Sequence, residues 1–169
     1  GAAPSVQTLR MDTQVLKSLI FCSTILGMKY LVSVMATMVP NRLAGEFTPE
    51  DKPIMEMIFG KNIDKEKYAA LKERFTRVVA NDQESIPAGL AMLWIAGLVS
   101  SSSVPTSDNN PGAVAQSIIT FTRVFTVSRI AHSACYYAGV AGMRSVAFLG
   151  GYFSSMGAGI VALKGLAGL

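Results

Sequence analysis

Arg77, Asn81 and Glu84 stand at i, i+4 and i+7 within Glu73–Pro87, ERFTRVVANDQESIP. On a helix this spacing puts a guanidinium, an amide and a carboxylate on one face. The stretch runs straight into AGLAMLWIAGLV, apolar enough to carry the same helix into a membrane, where an ionisable residue is costly and marks a functional site. Read alone, the pattern also fits a solvated first turn at the membrane boundary, because long charged side chains snorkel to water. A second face carries Arg129, His132 and Tyr136 at i, i+3 and i+7. Arg123 lies about 120° from that face at ~3.6 residues per turn and belongs to a different contact. An arginine and a histidine inside a span need a partner or a ligand, and an Arg129–Glu84 ion pair is one structural solution. The third candidate is Arg144-Ser145, at the expected start of the last apolar segment. There a guanidinium and a helix N-terminus together stabilise an anion or a thiolate, although an arginine alone at that place also reads as snorkelling. Together these arginines, the carboxylate, the amide and the hydroxyls suit a small zwitterion with two carboxylates and an ammonium group. An apolar second substrate would arrive from the lipid.

The elements that position these residues follow from composition. Of 169 residues, 50% are hydrophobic and 15% charged, against roughly 25% charged in a soluble domain, and mean hydropathy is +0.39. Four apolar segments, at about 15–39, 74–101, 113–137 and 145–166, reach the ~20 residues that a bilayer crossing requires. The expectation is an all-α integral membrane protein, one four-transmembrane-helix bundle over residues 1–169. Pro40, Pro49 and Pro53 break the first connection, Pro40–Lys72. The second, Ser100–Pro111, is polar and contains no Lys or Arg, and the third, Ala138–Met143, reads as a tight Gly-containing hairpin. Basic residues crowd the first connection and the start of helix two, and Arg144 closes the third. By the positive-inside rule both face the cytosol, or its equivalent, with the termini opposite. Gly151, Ser155 and Gly159, spaced by four, predict a small-residue packing face. Cys22 and Cys135 read as inert core residues, one histidine leaves no metal cluster, and no nucleic-acid motif is present.

At these residues the chain resembles the membrane-associated proteins in eicosanoid and glutathione metabolism, most closely the microsomal glutathione transferase and prostaglandin E synthase branch. Glu73, Arg74, Arg77, Asn81, Asp82, Glu84 and Ile86 match the helix-two signature E-R-x-x-R-x-x-x-N-D-x-E-x-I in register. Arg123, Arg129, His132 and Tyr136 match R-x-x-x-x-x-R-x-x-H-x-x-x-Y, and Arg144 takes the place of the arginine opening helix four. Phe47-Thr48-Pro49-Glu50-Asp51 is similar to the F-A-N-P-E-D loop, one residue short, and Lys29 and Arg42 match basic residues inside and at the end of helix one. Ala80 stands where the prostaglandin synthase has a further arginine, Phe148 where it has a tyrosine, and the hairpin before Arg144 is one residue shorter.

The resemblance implies a homotrimer of four-helix subunits that binds glutathione near the cytosolic face, between neighbouring subunits. Arg42, Arg77 and Arg129 would hold its carboxylates, Glu84 its ammonium group, and Asn81, His132 and Tyr136 its backbone. Arg144, with Ser145, would stabilise the thiolate for attack on a hydrophobic electrophile or reduction of a lipid hydroperoxide. The implied role is detoxification by a microsomal transferase and peroxidase in the endoplasmic reticulum, with a mitochondrial membrane as the other setting. A rival reading is a non-catalytic member of the same fold that binds lipid or serves as an accessory subunit of a larger membrane complex.

Overall fold

The computed structural model describes residues 11–44, 48–60, 65–100 and 111–167, and these fold into five helices. They are α1 (Thr13–Leu43), α2 (Lys52–Phe59), α3 (Lys65–Ser100), α4 (Pro111–Ala138) and α5 (Ala141–Ala167). Phe47 and most of the second connection lie outside the described residues.

Each boundary has a local cause. Asp12 caps α1, its carboxylate accepting from the Gln14 and Val15 amides at 2.7 and 3.2 Å. Pro40, expected to break the chain, instead lies buried inside the last turn of α1, and its carbonyl accepts from the Ala44 amide at 2.9 Å. Proline forfeits one donor there but keeps its acceptor, so the helix closes over it. The first connection also holds a short helix that the proline spacing concealed. In α2, Pro53 occupies the first turn, where a missing N–H costs nothing. The polar start of α3 continues as helix back to Lys65, because its residues are good helix formers and need no membrane to be helical.

The third connection is tighter than the sequence suggests. α4 ends in a Schellman turn: the Val140 amide donates to Cys135 O at 2.9 Å and the Gly139 amide to Tyr136 O at 3.2 Å. Gly139 takes φ +74°, the left-handed conformation that favours glycine. α5 therefore begins at Ala141, and Arg144 lies within its first turn rather than ahead of it.

Antiparallel contacts order the bundle. Lys29 meets Asp82 while Leu19 lies against Gly97, and Asn81 meets Arg129 while Phe125 covers Gly89. α1 and α4 thus run in the same direction, with α3 opposed to both. α3 and α4 each pack on all three other long helices, while α1 and α5 flank them. Among the described residues, the flanking pair are the helices that are both long and apolar enough to cross a membrane. The inner pair, of 36 and 28 residues, are long enough but carry the ionisable residues.

Polarity is inverted relative to a soluble domain. Phe21 (66%), Val127 (65%) and Leu163 (67%) are exposed, whereas Asp82 and Arg129 are each 1% exposed. Leu19, Leu26, Leu93, Ile118 and Phe125 join the inner surfaces of α1, α3 and α4 into one core. Thr122, Thr126 and Ser154 satisfy their hydroxyls on carbonyls one turn back, at 2.7–2.9 Å, as apolar surroundings demand. The closest approaches on α5 are Gly150 to Ser128 and Gly157 to Phe121, where a Cβ would come within 2.7 Å of a side-chain atom. In the Gly151/Ser155/Gly159 stripe, Gly151 packs against Arg129 and Phe125 of α4, while all three residues also line a cleft.

Candidate functional site

Two layers of polar residues meet where α3, α4 and the start of α5 converge. The inner layer is an ion-pair network. Lys29 Nζ reaches both Asp82 oxygens at 2.5 Å, Arg129 Nη2 lies 3.9 Å from Asp82 Oδ1, and Arg129 also donates to Asn81 Oδ1. Two cations thus face one carboxylate in a setting where burial penalises every charge. Arg129 pairs with this network and not with Glu84, which is exposed. Glu84 lies two residues past Asp82, about 200° around the helix, so the two carboxylates face opposite ways.

The outer layer gathers around Tyr136. The Arg144 guanidinium lies 4.5 Å from the centroid of its ring, a cation–π contact. His132 packs edge-on against the same ring at 5.2 Å and against Phe148 at 5.9 Å. Arg77, one turn before Asn81, is exposed and bonds Glu73 at 2.6 Å. The Arg77 guanidinium also lies within hydrogen-bond reach of the Tyr136 hydroxyl.

The structure therefore brings Arg77, His132, Tyr136 and Arg144 together, with Asn81 and Arg129 behind them. It does not bring in the other three expected residues within one chain. Arg42 Nη1 donates to Met55 Sδ at 3.1 Å and so ties α2 to the end of α1. Glu84 points outward. Ser145 is exposed, its hydroxyl donating to its own helix at Ala141 O, 3.4 Å away.

Two features invite a ligand. Arg129 Nε and His132 Nδ1 are buried without a partner among the described residues, and a buried polar group left unpaired costs about 1–3 kcal/mol. Beside them a cleft of ≈ 470 Å³ opens between α3 and α5, from Arg129 and Phe148 at one end to Ile160 and Leu163 at the other. An apolar molecule could slide along it from the exterior towards the cationic cluster.

The Lys29–Asp82 pair was missed as a unit by spacing arguments. Its signal was Lys29, the deeper of two lysines in one apolar run, and Asp82 near the head of another, charges that each need a partner inside a membrane.

The model of the MAPEG family, the membrane-associated proteins named above, matches residues 19–164 of the chain. That span includes every candidate site residue. No curated protein matches the chain.

Proposed function

The chain belongs to the MAPEG family, and from that premise we propose that it is a membrane-bound glutathione transferase, with lipid-hydroperoxide glutathione peroxidase activity at the same site. We assign it four membrane-crossing helices (α1, α3, α4 and α5), a homotrimeric state, and the endoplasmic reticulum membrane. The observation that carries this reading is the convergence of Arg77, Arg144, His132 and Tyr136 over the Arg129–Asn81 pair.

The residues present fit glutathione. Its carboxylates need cations: Arg77 is accessible, and Arg129 keeps a buried N–H unused. Its ammonium group needs a carboxylate, and Glu84 has no partner among the described residues. Glu84 is exposed and Arg42 is held by Met55, so neither joins the cluster of its own chain, which supports a site shared between neighbouring subunits.

Bound glutathione would supply a sulfur nucleophile, which bonds to an electrophilic carbon as the leaving group departs with its electron pair; in the peroxidase reaction the hydroperoxide is the oxidant, reduced to alcohol and water as two glutathione thiols become one disulfide. The chain's own residues set up that step. Arg144, braced on the Tyr136 ring, favours the deprotonated sulfur by charge. Ser145 would have to turn its hydroxyl away from Ala141 O to join the thiolate. The α3–α5 cleft holds the apolar substrate and keeps water from it.

The test is a titration of the purified protein with glutathione, followed by thiolate absorbance in the ultraviolet. A thiolate signal is expected that falls about ten-fold or more in Arg144→Ala. No glutathione binding by the unmutated protein would refute the reading.

A further inference from the structure

A second groove lies between α1 and α4, on the side away from the cleft. Its volume is ≈ 990 Å³. Its lining has a polar end of Gln14, Lys17, Ser18 and Arg123 and an apolar continuation that includes Ile25, Val127 and Ile130. No carboxylate lines it, and neither Lys17 nor Arg123 has an ion-pair partner among the described residues. Ser18 Oγ is buried there without a partner as well.

Two unpaired cations on membrane helices are expensive unless an anion meets them. Lys17 is the fifth residue of α1, roughly 6 Å from its start. Arg123, the thirteenth of α4, starts deeper, roughly 18 Å along its helix. Because α1 and α4 run in the same direction and helical side chains lean towards the N-terminus, Arg123 reaches back towards Lys17. The apolar residues of the groove continue the other way, along the helices towards the middle of the bundle. The arrangement matches an amphiphile with a negative head and an acyl tail lying parallel to the helices.

We propose that the α1–α4 groove binds an anionic phospholipid, its phosphate between Lys17 and Arg123 and one acyl chain along Ile25, Val127 and Ile130. The groove shares no residue with the Tyr136 cluster and lies on the opposite face of α4. The proposal therefore stands or falls independently of glutathione binding.

Native mass spectrometry of the full-length protein in detergent tests it, with phosphatidylglycerol and phosphatidylcholine of identical acyl chains as probes. Phosphatidylglycerol is expected to stay bound where phosphatidylcholine is lost. Lys17→Gln with Arg123→Gln should weaken its retention about ten-fold or more, while Lys17→Arg with Arg123→Lys should keep it. Val127→Trp fills the groove without changing charge and should also reduce retention, and Arg144→Gln should leave it unchanged. Equal retention of the two lipids would overturn the proposal, as would undiminished phosphatidylglycerol binding in the double glutamine variant. So would loss of the assembly in that variant, because the groove would then be a contact between subunits.

Discussion

Asp82 carries more of the structure than its single charge suggests. It is fully buried, bonds Lys29 through both oxygens and faces Arg129. Removing it leaves two desolvated cations in mutual repulsion. Asp82→Asn is therefore expected to destabilise the protein by about 3–5 kcal/mol, measured as a lowered unfolding midpoint in detergent. Replacing Lys29 by Met in the same chain should recover part of that loss, since one orphan charge is then removed. Tyr136 separates two roles in one side chain. Its ring braces Arg144 while its hydroxyl lies beside Arg77. Tyr136→Phe should keep kcat within a few-fold and raise KM for glutathione, whereas Tyr136→Ala should lower kcat as well, because Arg144 loses the contact that positions it (about 0.5–1 kcal/mol for an exposed cation–π pair). Steady-state kinetics against a soluble electrophile distinguishes the two. At this scale helical spacing was informative: Arg129, His132 and Tyr136 share the face it assigned, and Asn81 turns to Arg129. The Lys29–Asp82 pair was not legible in that way, since joining two helices depends on their rotation and relative depth.

Among the elements, the joint between α4 and α5 governs where Arg144 falls. Gly139→Ala would put a Cβ in the left-handed region and within 3.1 Å of an Arg74 nitrogen. A cost of about 1–2 kcal/mol is expected from the backbone alone, readable as a drop in thermal stability together with a weaker thiolate signal as Arg144 shifts. Gly89→Ala would drive a Cβ into the Phe125 ring. Overpacking of this kind costs about 1–3 kcal/mol, and the variant should unfold at lower temperature without a change in the Arg144-dependent signal. The long apolar runs made the centres of α1, α3, α4 and α5 readable. Their ends were less so, because helix continues through polar sequence wherever residues of good propensity allow, as from Lys65 to Lys72. α2 escaped notice for another reason. Pro49 and Pro53 look like breakers, but Pro53 sits in the first turn of α2, where it starts a helix instead.

For the molecule as a whole, the exposed apolar surface and the buried polar network describe a protein whose solvent is lipid. The family match and the apolar helices place it in a membrane, and alkaline washing of membranes containing it should leave the chain in the pellet. The most apolar helices are on the flanks and the charged ones inside, an order no single-helix hydropathy could reveal because it belongs to the packing. The two-residue joint between α4 and α5 has a consequence for how the chain enters the bilayer. On the four-crossing reading, α4 must enter the bilayer carrying Arg123 and Arg129, and alone it is a poor candidate to leave the translocation channel. The Schellman turn leaves no slack between it and the strongly apolar α5 that is synthesised next. The two would partition into lipid as one hairpin, α5 supplying the driving force that α4 lacks, and a reporter fused after α4 should show efficient integration only when α5 is present.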